Sequence, residues 1–229
     1  MSLRPTARGN PAGPARRIAG AYHPLMHADA TTAAFARAAA RDGLVLEPAS
    51  FDWLCEQGHV GLERVAKARR DPALVRPVIA ALTVLGAILS RLGGDVSVLE
   101  AARENLLLPV DLVHRPTGTV IQVDGAEHFT SSRLIALDLY PADAALGFDP
   151  AEHRSLCRSL APRTDLLSRG LPARAFGFGG VQRERAYHDA LRDLATAAMG
   201  LPALVRVAAV DGDGTAAYAR FWEGPWRLT

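Results

Sequence analysis

Cysteine and lysine are scarce in this chain of 229 residues. Cys55 and Cys157 are too few for a disulfide framework, and neither belongs to a Cys-x-x-Cys pair that would indicate a thiolate zinc site. Such sparse cysteine is typical of the reducing cytoplasm. Long apolar runs are missing as well, because the longest one, residues 78–89, is too short to span a bilayer and predicts a buried helix. We therefore expect a cytoplasmic protein without a membrane segment.

A strong charge of either sign is also lacking, since the net charge is only +2. Residues 1–17 contain four arginines and no acidic residue, and subtracting these four charges from +2 leaves −2 for the remainder. The globular part thus lacks the positive balance of a dedicated DNA-binding domain.

The chain divides into three predicted regions. Residues 1–19 are rich in Pro, Gly and Arg and predict a disordered basic arm. Residues 20–94 predict a helical subdomain, and residues 95–229 an α/β domain. In the helical subdomain we expect helices over 31–42, over 51–70 after an N-cap at Ser50, and over 77–92 beginning at Pro77.

Polar side chains cluster at the end of one predicted strand. Residues 119–123 form a β-branched apolar run that predicts a buried strand, and it ends in a group made of Gln122, Asp124 and His128. Residues 109–113 predict a partner strand that carries Asp111, and the Arg-Pro-Thr-Gly sequence between the two strands is typical of a hairpin turn. Antiparallel pairing would place Asp111 beside Gln122 or Asp124, which would give two oxygen ligands for a divalent cation.

These residues resemble the PD-(D/E)XK nuclease superfamily, in particular the branch of very-short-patch repair endonucleases and RAP domains. The signature of that branch, E-x-D-G-x-x-H-F, is present over residues 122–129 as Q-V-D-G-A-E-H-F. The resemblance implies an α/β, restriction-endonuclease-like fold, in which a mixed central sheet is flanked by helices. It also implies Mg²⁺- or Mn²⁺-dependent cleavage of nucleic acid, with DNA favoured over RNA.

The resemblance assigns roles to individual residues. Asp111, Asp124, Gln122 and the carbonyl of Val123 would hold the metal, and His128 would act as general base or contact a phosphate. A further acid, Glu100 or Glu104, would come from a helix over 98–106. Arg133 and Asp138 lie where the family has an Arg and an Asp, and Arg133 would clamp the scissile phosphate. Two features depart from the family pattern: Gln122 replaces an acid, and the only lysine, Lys67, lies far away in the chain.

The remaining C-terminal elements are predicted from local patterns. We expect a strand over 172–178, a long helix over 181–199, and two strands over 204–210 and 215–222 joined by a hairpin turn at Asp-Gly-Asp-Gly.

Three hypotheses for function follow. The first is a metal-dependent endodeoxyribonuclease, for which double-strand cleavage would favour a homodimer. The second is a nuclease-like module that has lost catalysis and binds nucleic acid or a protein partner. In the third, Asp124-Gly125 is only a turn and His128 an ordinary surface histidine.

Overall fold

The structure, a computed structural model, describes residues 30–103, 106–226 and 228. The predicted arm over 1–19 and the candidate Glu104 lie outside these residues. The elements in chain order are α1 (Ala30–Arg41), β1 (Leu46–Ala49), α2 (Gly58–Arg69), α3 (Pro72–Arg91), α4 (Val96–Glu100), β2 (Val110–His114), β3 (Thr119–Asp124), α5 (Ser131–Leu137), α6 (Pro150–Leu167), α7 (Val181–Ala198), β4 (Val205–Ala208) and α8 (Gly214–Glu223).

The four described strands form one mixed sheet in the order β1-β2-β3-β4. β2 pairs antiparallel with both β1 and β3, whereas β3 and β4 run parallel. The parallel pair requires a long crossover, which the chain makes through α5, α6 and α7. The expectation of an α/β protein with a mixed central sheet flanked by helices is confirmed, and so is the β2–turn–β3 hairpin.

Each face of the sheet packs against helices. On one face Ile121 and Val123 belong to a core cluster that also contains Phe35 of α1 and Phe221 of α8. Val120 belongs to the larger core on the other face, together with residues of α3, α5 and α7. Because side chains alternate along a strand, Gln122 and Asp124 point to the same face as Val120. The polar end of β3 therefore enters the larger of the two cores.

The predicted boundary at residue 94 runs through a shared core. β1 comes from the first segment and is an edge strand of the sheet, paired with β2. Trp53 and Leu85, also from the first segment, belong to the same cluster as Tyr187 and Leu191 of α7. In the described part of the chain, residues before and after position 94 thus build one interior.

Two helices begin elsewhere than the sequence indicated. The helix expected from residue 51 begins at Gly58, which has a φ of +59°, a left-handed conformation that glycine adopts without strain. The helix expected from Pro77 begins five residues earlier, at Pro72, because Asp71 is its N-cap and accepts a hydrogen bond from the amide of Ala73. Pro77 lies inside the helix.

The largest correction concerns the C-terminal hairpin, because residues 214–223 form α8 instead of a strand. Asp213 accepts hydrogen bonds from the amides of Thr215 and Ala216, so the Asp-Gly-Asp-Gly sequence caps a helix. The strand expected over 172–178 is also wrong: a tight turn there joins the amide of Ala173 to the carbonyl of Gly177. The helix expected over 98–106 is shorter and ends at Glu100.

α3 carries the apolar run over 78–89. Among the described helices it alone has the length and composition to cross a membrane, a test that core helices also pass. Val78, Ala81, Leu85, Ile88 and Leu89 are buried in the larger core, as expected for a packed helix.

Candidate functional site

The structure brings Asp111 and Asp124 to the same side of the sheet. A carboxylate oxygen of Asp111 accepts a hydrogen bond from the amide of Val123, at 2.8 Å, in the strand that ends at Asp124. Asp111 is half-buried, and this burial raises the pKa of its carboxyl group; the nearby carboxylate of Asp124 raises it further. The two aspartates therefore interact directly through their charges.

Asp124 is paired with an arginine that the sequence analysis did not single out. Arg206 of β4 uses one guanidinium nitrogen, Nη1, to donate to both carboxylate oxygens of Asp124, at 2.7 and 2.9 Å. The side chains of Asp124 and Arg206 are only 1% and 0% exposed. Burial alone would raise the pKa of Asp124, but Arg206 and then His128 hold that pKa well below its usual range. Asp124 is thus a permanent, fully compensated carboxylate.

Arg206 also contacts α7. Its Nε donates to Asp193 at 2.7 Å, and its Nη2 donates to the backbone carbonyl of Asp189 at 3.2 Å. The Asp189 and Asp193 side chains are both 0% exposed. They are four residues apart, one helical turn, and so both face the sheet. One guanidinium therefore joins the ends of β3 and β4 to α7.

Arg133 belongs to the same buried arrangement. It is 1% exposed, donates to Asp193 at 2.6 Å and donates to the hydroxyl of Tyr140 at 2.9 Å. The Tyr140 hydroxyl donates in turn to Asp193 at 2.7 Å. Because Arg133 is buried, it does not reach the surface where a phosphate would bind. The expected phosphate clamp therefore does not fit this position. Asp138, the family's other expected position, is exposed and pairs with Arg154 at 3.0 Å.

His128 is oriented by a buried carboxylate. Its Nδ1 lies 2.9 Å from an oxygen of Asp189 and 3.6 Å from an oxygen of Asp124, and its side chain is 22% exposed. Burial would lower the pKa of His128, but Asp189 and Asp124 outweigh that effect and raise it. These carboxylates favour the charged imidazolium form, in which Nε2 is the nitrogen that is not bonded to Asp189.

We call these seven side chains the Asp124 network: Asp124, His128, Arg133, Tyr140, Asp189, Asp193 and Arg206. It contains three carboxylates, two guanidinium groups and the His128 imidazolium, so its formal charges cancel. A balanced, hydrogen-bonded set is the condition under which charges can be buried without a prohibitive desolvation cost.

His153 of α6 touches the network from a different side. It is 5% exposed, and its ring lies 4.9 Å from that of Phe129 and 4.7 Å from that of Phe148, centroid to centroid. Its Nε2 is 3.4 Å from Asp124, without the geometry of a hydrogen bond. Burial lowers the pKa of His153. No motif in the sequence predicts His153 at this site.

Two other predicted site residues, Gln122 and Glu100, lie outside the Asp124 network. Gln122 is 3% exposed, and its side-chain nitrogen has no hydrogen-bond partner among the described residues. Glu100 is exposed at the end of α4; its carbonyl accepts from Gln57 at 3.3 Å, and its charge acts on His59 of α2. The contacts found for Glu100 thus connect it to α2.

The residues as arranged do not fit the implied Mg²⁺ or Mn²⁺. Mg²⁺ requires oxygen ligands in near-octahedral geometry, and both carboxylate oxygens of Asp124 already accept from Arg206. Within residues 30–103, 106–226 and 228, no group of three or more His, Cys, Asp or Glu side chains is arranged to hold a metal ion. The guanidinium of Arg206 supplies the positive charge that a metal would otherwise bring to Asp124.

Nitrogen-bearing side chains of α7 flank Asp189, the partner of His128. Arg185, His188 and Arg192 lie at i, i+3 and i+7 on α7 and are half-buried. Arg185 donates to the carbonyl of Glu127 at 3.1 Å, next to His128, and Arg192 donates to the carbonyl of Pro109 at 3.1 Å, near Asp111. We call Arg185, Arg192 and His128 the basic rim.

A cleft opens at the free edge of β4, between α6 and α8. Its volume is about 320 Å³. It is lined by residues 205–208 of β4 together with Phe148, Asp149, Glu152, His153, Arg220 and Trp226, among others. We call it the β4 cleft.

Comparison with known proteins adds no assignment: no family model, no curated protein and no solved structure matches this chain.

Proposed function

We propose that this protein has a restriction-endonuclease-like fold that binds nucleic acid, with DNA favoured, and does not hydrolyse it with a metal ion. The observation that carries the proposal is the pairing of Arg206 with both carboxylate oxygens of Asp124. In the resembled family the equivalent Asp would bind the metal.

The pairing is hard to displace. A metal ion at Asp124 would have to expel a guanidinium that is 0% exposed and also bonded to Asp193. Removing one partner from a buried ion pair costs about 3–5 kcal/mol, because the other charge is left uncompensated. Gln122 adds no charge that would attract a cation. The family fold is kept, and its acidic centre is neutralised from within.

The basic rim supports nucleic acid as the ligand. Asp189 and Asp124 raise the pKa of His128, which favours its positively charged form. The charge of Arg185 acts on His128, and Arg192 lies two turns further along α7, 3.6 Å from Asp189; guanidinium groups match the oxygens of a phosphate. Phosphate contacts supply most of the sequence-independent affinity for nucleic acid. A cytoplasmic setting belongs to the same proposal and agrees with two buried, free cysteines.

One observation favours the competing proposal, a metal-dependent endonuclease. Asp111 and Asp124 lie close enough for each charge to act on the other, as two ligands of one cation would. In that proposal Asp111, Gln122, Asp124 and His128 are catalytic, and double-strand cleavage would favour a homodimer. Gel filtration at micromolar protein with and without DNA tests the dimer.

The decisive experiment measures binding and cleavage on the same preparation. We expect fluorescein-labelled duplex and single-stranded DNA to bind at about 50 mM salt, a concentration at which phosphate contacts dominate the affinity. The same DNA should remain intact when about 5 mM Mg²⁺ or Mn²⁺ is added. Arg185→Gln should weaken binding about threefold to tenfold and reduce the salt slope by about one. Arg91→Gln, an exposed arginine at the end of α3, is the matched control. Metal-dependent cleavage that disappears in Asp124→Asn would overturn the proposal in favour of the endonuclease.

A further inference from the structure

The β4 cleft is separate from the basic rim and has a different chemistry. It lies beyond β4, at the edge of the sheet that has no further described strand next to it. The basic rim lies at the end of β3, beside α7. The cleft therefore requires its own explanation.

The floor of the cleft is the backbone edge of a strand. The carbonyl of Leu204 already accepts from the amide of Gly147 at 3.1 Å, and that of Ala208 accepts from the side chain of Arg220 at 3.1 Å. Bonding groups alternate between the two sides of a strand. The carbonyl of Arg206 and the amide of Ala208 therefore point to the same outer edge, which the cleft exposes. These two groups can pair with one residue of an added parallel strand. That pairing position comes directly after the isolated parallel bridge between Gly147 and Val205.

The rim of the cleft is acidic and aromatic. Asp149, the N-cap of α6, and Glu152 in its first turn are exposed, and Trp226 is 41% exposed on the opposite side. The positive groups nearby have carboxylate partners: Arg206 within the Asp124 network, and Arg220 with Asp211 at 3.9 Å. Burial lowers the pKa of His153, so that imidazole is neutral at neutral pH. Among the described residues that line the cleft, the unbalanced charge is thus negative.

We propose that the β4 cleft binds an extended peptide that carries a cationic side chain. The peptide backbone adds as a short parallel strand to β4, which is a common mode of peptide recognition. Its arginine or lysine lies between the two rim carboxylates and the face of Trp226, where an aromatic ring and a negative charge both attract a cation. The inference rests on the proposed function only in treating the protein as a binding module. It adds a second partner at a second surface.

Nucleic acid is the less fitting occupant of this cleft. Its phosphates would face Asp149 and Glu152, and the one exposed cation among the described lining residues, Arg220, already lies 3.9 Å from Asp211. An oligonucleotide that binds here is therefore one of the outcomes that would overturn the inference.

The test uses the full chain and a fluorescein-labelled heptapeptide of alternating threonine and valine with a central arginine. Fluorescence anisotropy should show binding, and a peptide with glutamate in place of arginine should bind at least about tenfold more weakly. Glu152→Gln and Trp226→Ala should each weaken binding about threefold or more. Matched controls are Glu223→Gln and Trp222→Ala, because both residues line a different, shallow depression beside α1 and α8. The controls should bind like the unaltered protein.

A second readout reports on strand addition. Hydrogen exchange measured by NMR should show the Ala208 amide becoming protected when the peptide binds, whereas binding through side chains alone would leave it unchanged. Equal peptide affinity in all four variants overturns the inference, as does Trp226-dependent binding of a single-stranded oligonucleotide. Either result leaves the proposed function standing if DNA still binds without cleavage, and metal-dependent cleavage refutes the proposed function alone.

Discussion

Arg206 and Asp124, 82 residues apart in the sequence, form a buried ion pair in which one guanidinium nitrogen lies 2.7 and 2.9 Å from the two carboxylate oxygens. The pair joins the last residue of β3 to a residue of β4 that lies opposite Gln122, where a nuclease of the resembled family would bind its metal. Because Arg206 occupies this place, the contact that stabilises the fold also keeps a metal ion from binding Asp124. Stability and metal binding can each be measured.

Replacing Arg206 with methionine should expose that opposition. We expect Arg206→Met to lower the free energy of unfolding by about 3–5 kcal/mol, because Asp124 and Asp193 lose their buried partner. We also expect Mn²⁺ to raise the melting temperature of the variant, since free carboxylates then line the former guanidinium position. Differential scanning fluorimetry with and without Mn²⁺ measures both effects.

Arg220→Met is the control for this prediction, because Arg220 is an exposed arginine near the same strand. It should change stability by less than about 1 kcal/mol and give no response to Mn²⁺. If Mn²⁺ stabilised the unaltered protein as strongly as Arg206→Met, then Asp124 would already be open to metal, contrary to the site described above.

The dependence of stability on pH should carry the signature of His128. Its folded pKa is raised above the unfolded value of about 6.5, so its stabilising contribution is complete below that value. The contribution is lost as the pH rises through the folded pKa. Guanidinium unfolding curves should therefore show stability falling as the pH rises above about 6.5, and His128→Gln should flatten this fall while lowering stability at about pH 6.

His188 provides a control, because its pKa is shifted in the opposite direction to that of His128. Burial lowers the pKa of His188 to about 3, so the folded protein holds it neutral while the unfolded chain protonates it below about pH 6.5. His188→Gln should therefore change stability only on the acidic side, where the neutral histidine costs stability as the pH falls. An identical pH profile for the two variants would contradict the assignment of the alkaline fall to His128.

The hairpin of β2 and β3 was predictable because its signals are local. Alternating apolar residues, a Pro-Thr-Gly turn and polar residues at the strand end all lie within residues 109–129. Arg206 was missed because its partners are distant in sequence. A signal was nonetheless present: an arginine in the apolar strand over 204–210 needs a buried counter-charge, and the amphipathic helix before it carries Asp189 and Asp193 one turn apart.

The C-terminal helix was mistaken for a strand for a different reason. Asp-Gly-Asp-Gly is compatible with a hairpin turn and with a helix cap, and the local pattern of residues 215–222 does not distinguish the two. Tertiary packing decides: α8 lies against α1 over the face of the sheet that carries Ile121 and Val123. Only the position of α1 makes the helix the better solution.

That packing leads to a prediction about Gly214, the first residue of α8. A Cβ atom at this position would lie 2.8 Å from the backbone nitrogen of Phe35 and closer still to the carbonyl oxygen of Thr31, both in α1. Gly214→Ala should force the two helices apart and cost about 1–3 kcal/mol in the free energy of unfolding. Chemical denaturation measures the change.

Gly86→Ala is the matched control, because Gly86 lies inside α3 and the nearest atom to its Cβ would be 4.0 Å away. Alanine there should stabilise the protein by about 0.5–1 kcal/mol through the helix propensity alone. A tolerated Gly214→Ala would mean that α1 and α8 do not approach as closely as the structure shows.

Asp111 separates the two proposals for function most sharply. Burial and the charge of Asp124 raise the pKa of Asp111, so its ionised form costs stability in the folded state. Asp111→Asn removes that charge and keeps an oxygen that can accept from the amide of Val123. We therefore expect unchanged or slightly higher stability near pH 7. We also expect DNA binding to tighten about twofold to fivefold, since one negative charge leaves the neighbourhood of the basic rim. A metal-dependent endonuclease would behave in the opposite way, because loss of a ligand would abolish cleavage and weaken metal-dependent binding. Anisotropy titrations of the variant with and without Mg²⁺ therefore decide between a charge that hinders DNA binding and a ligand on which catalysis depends.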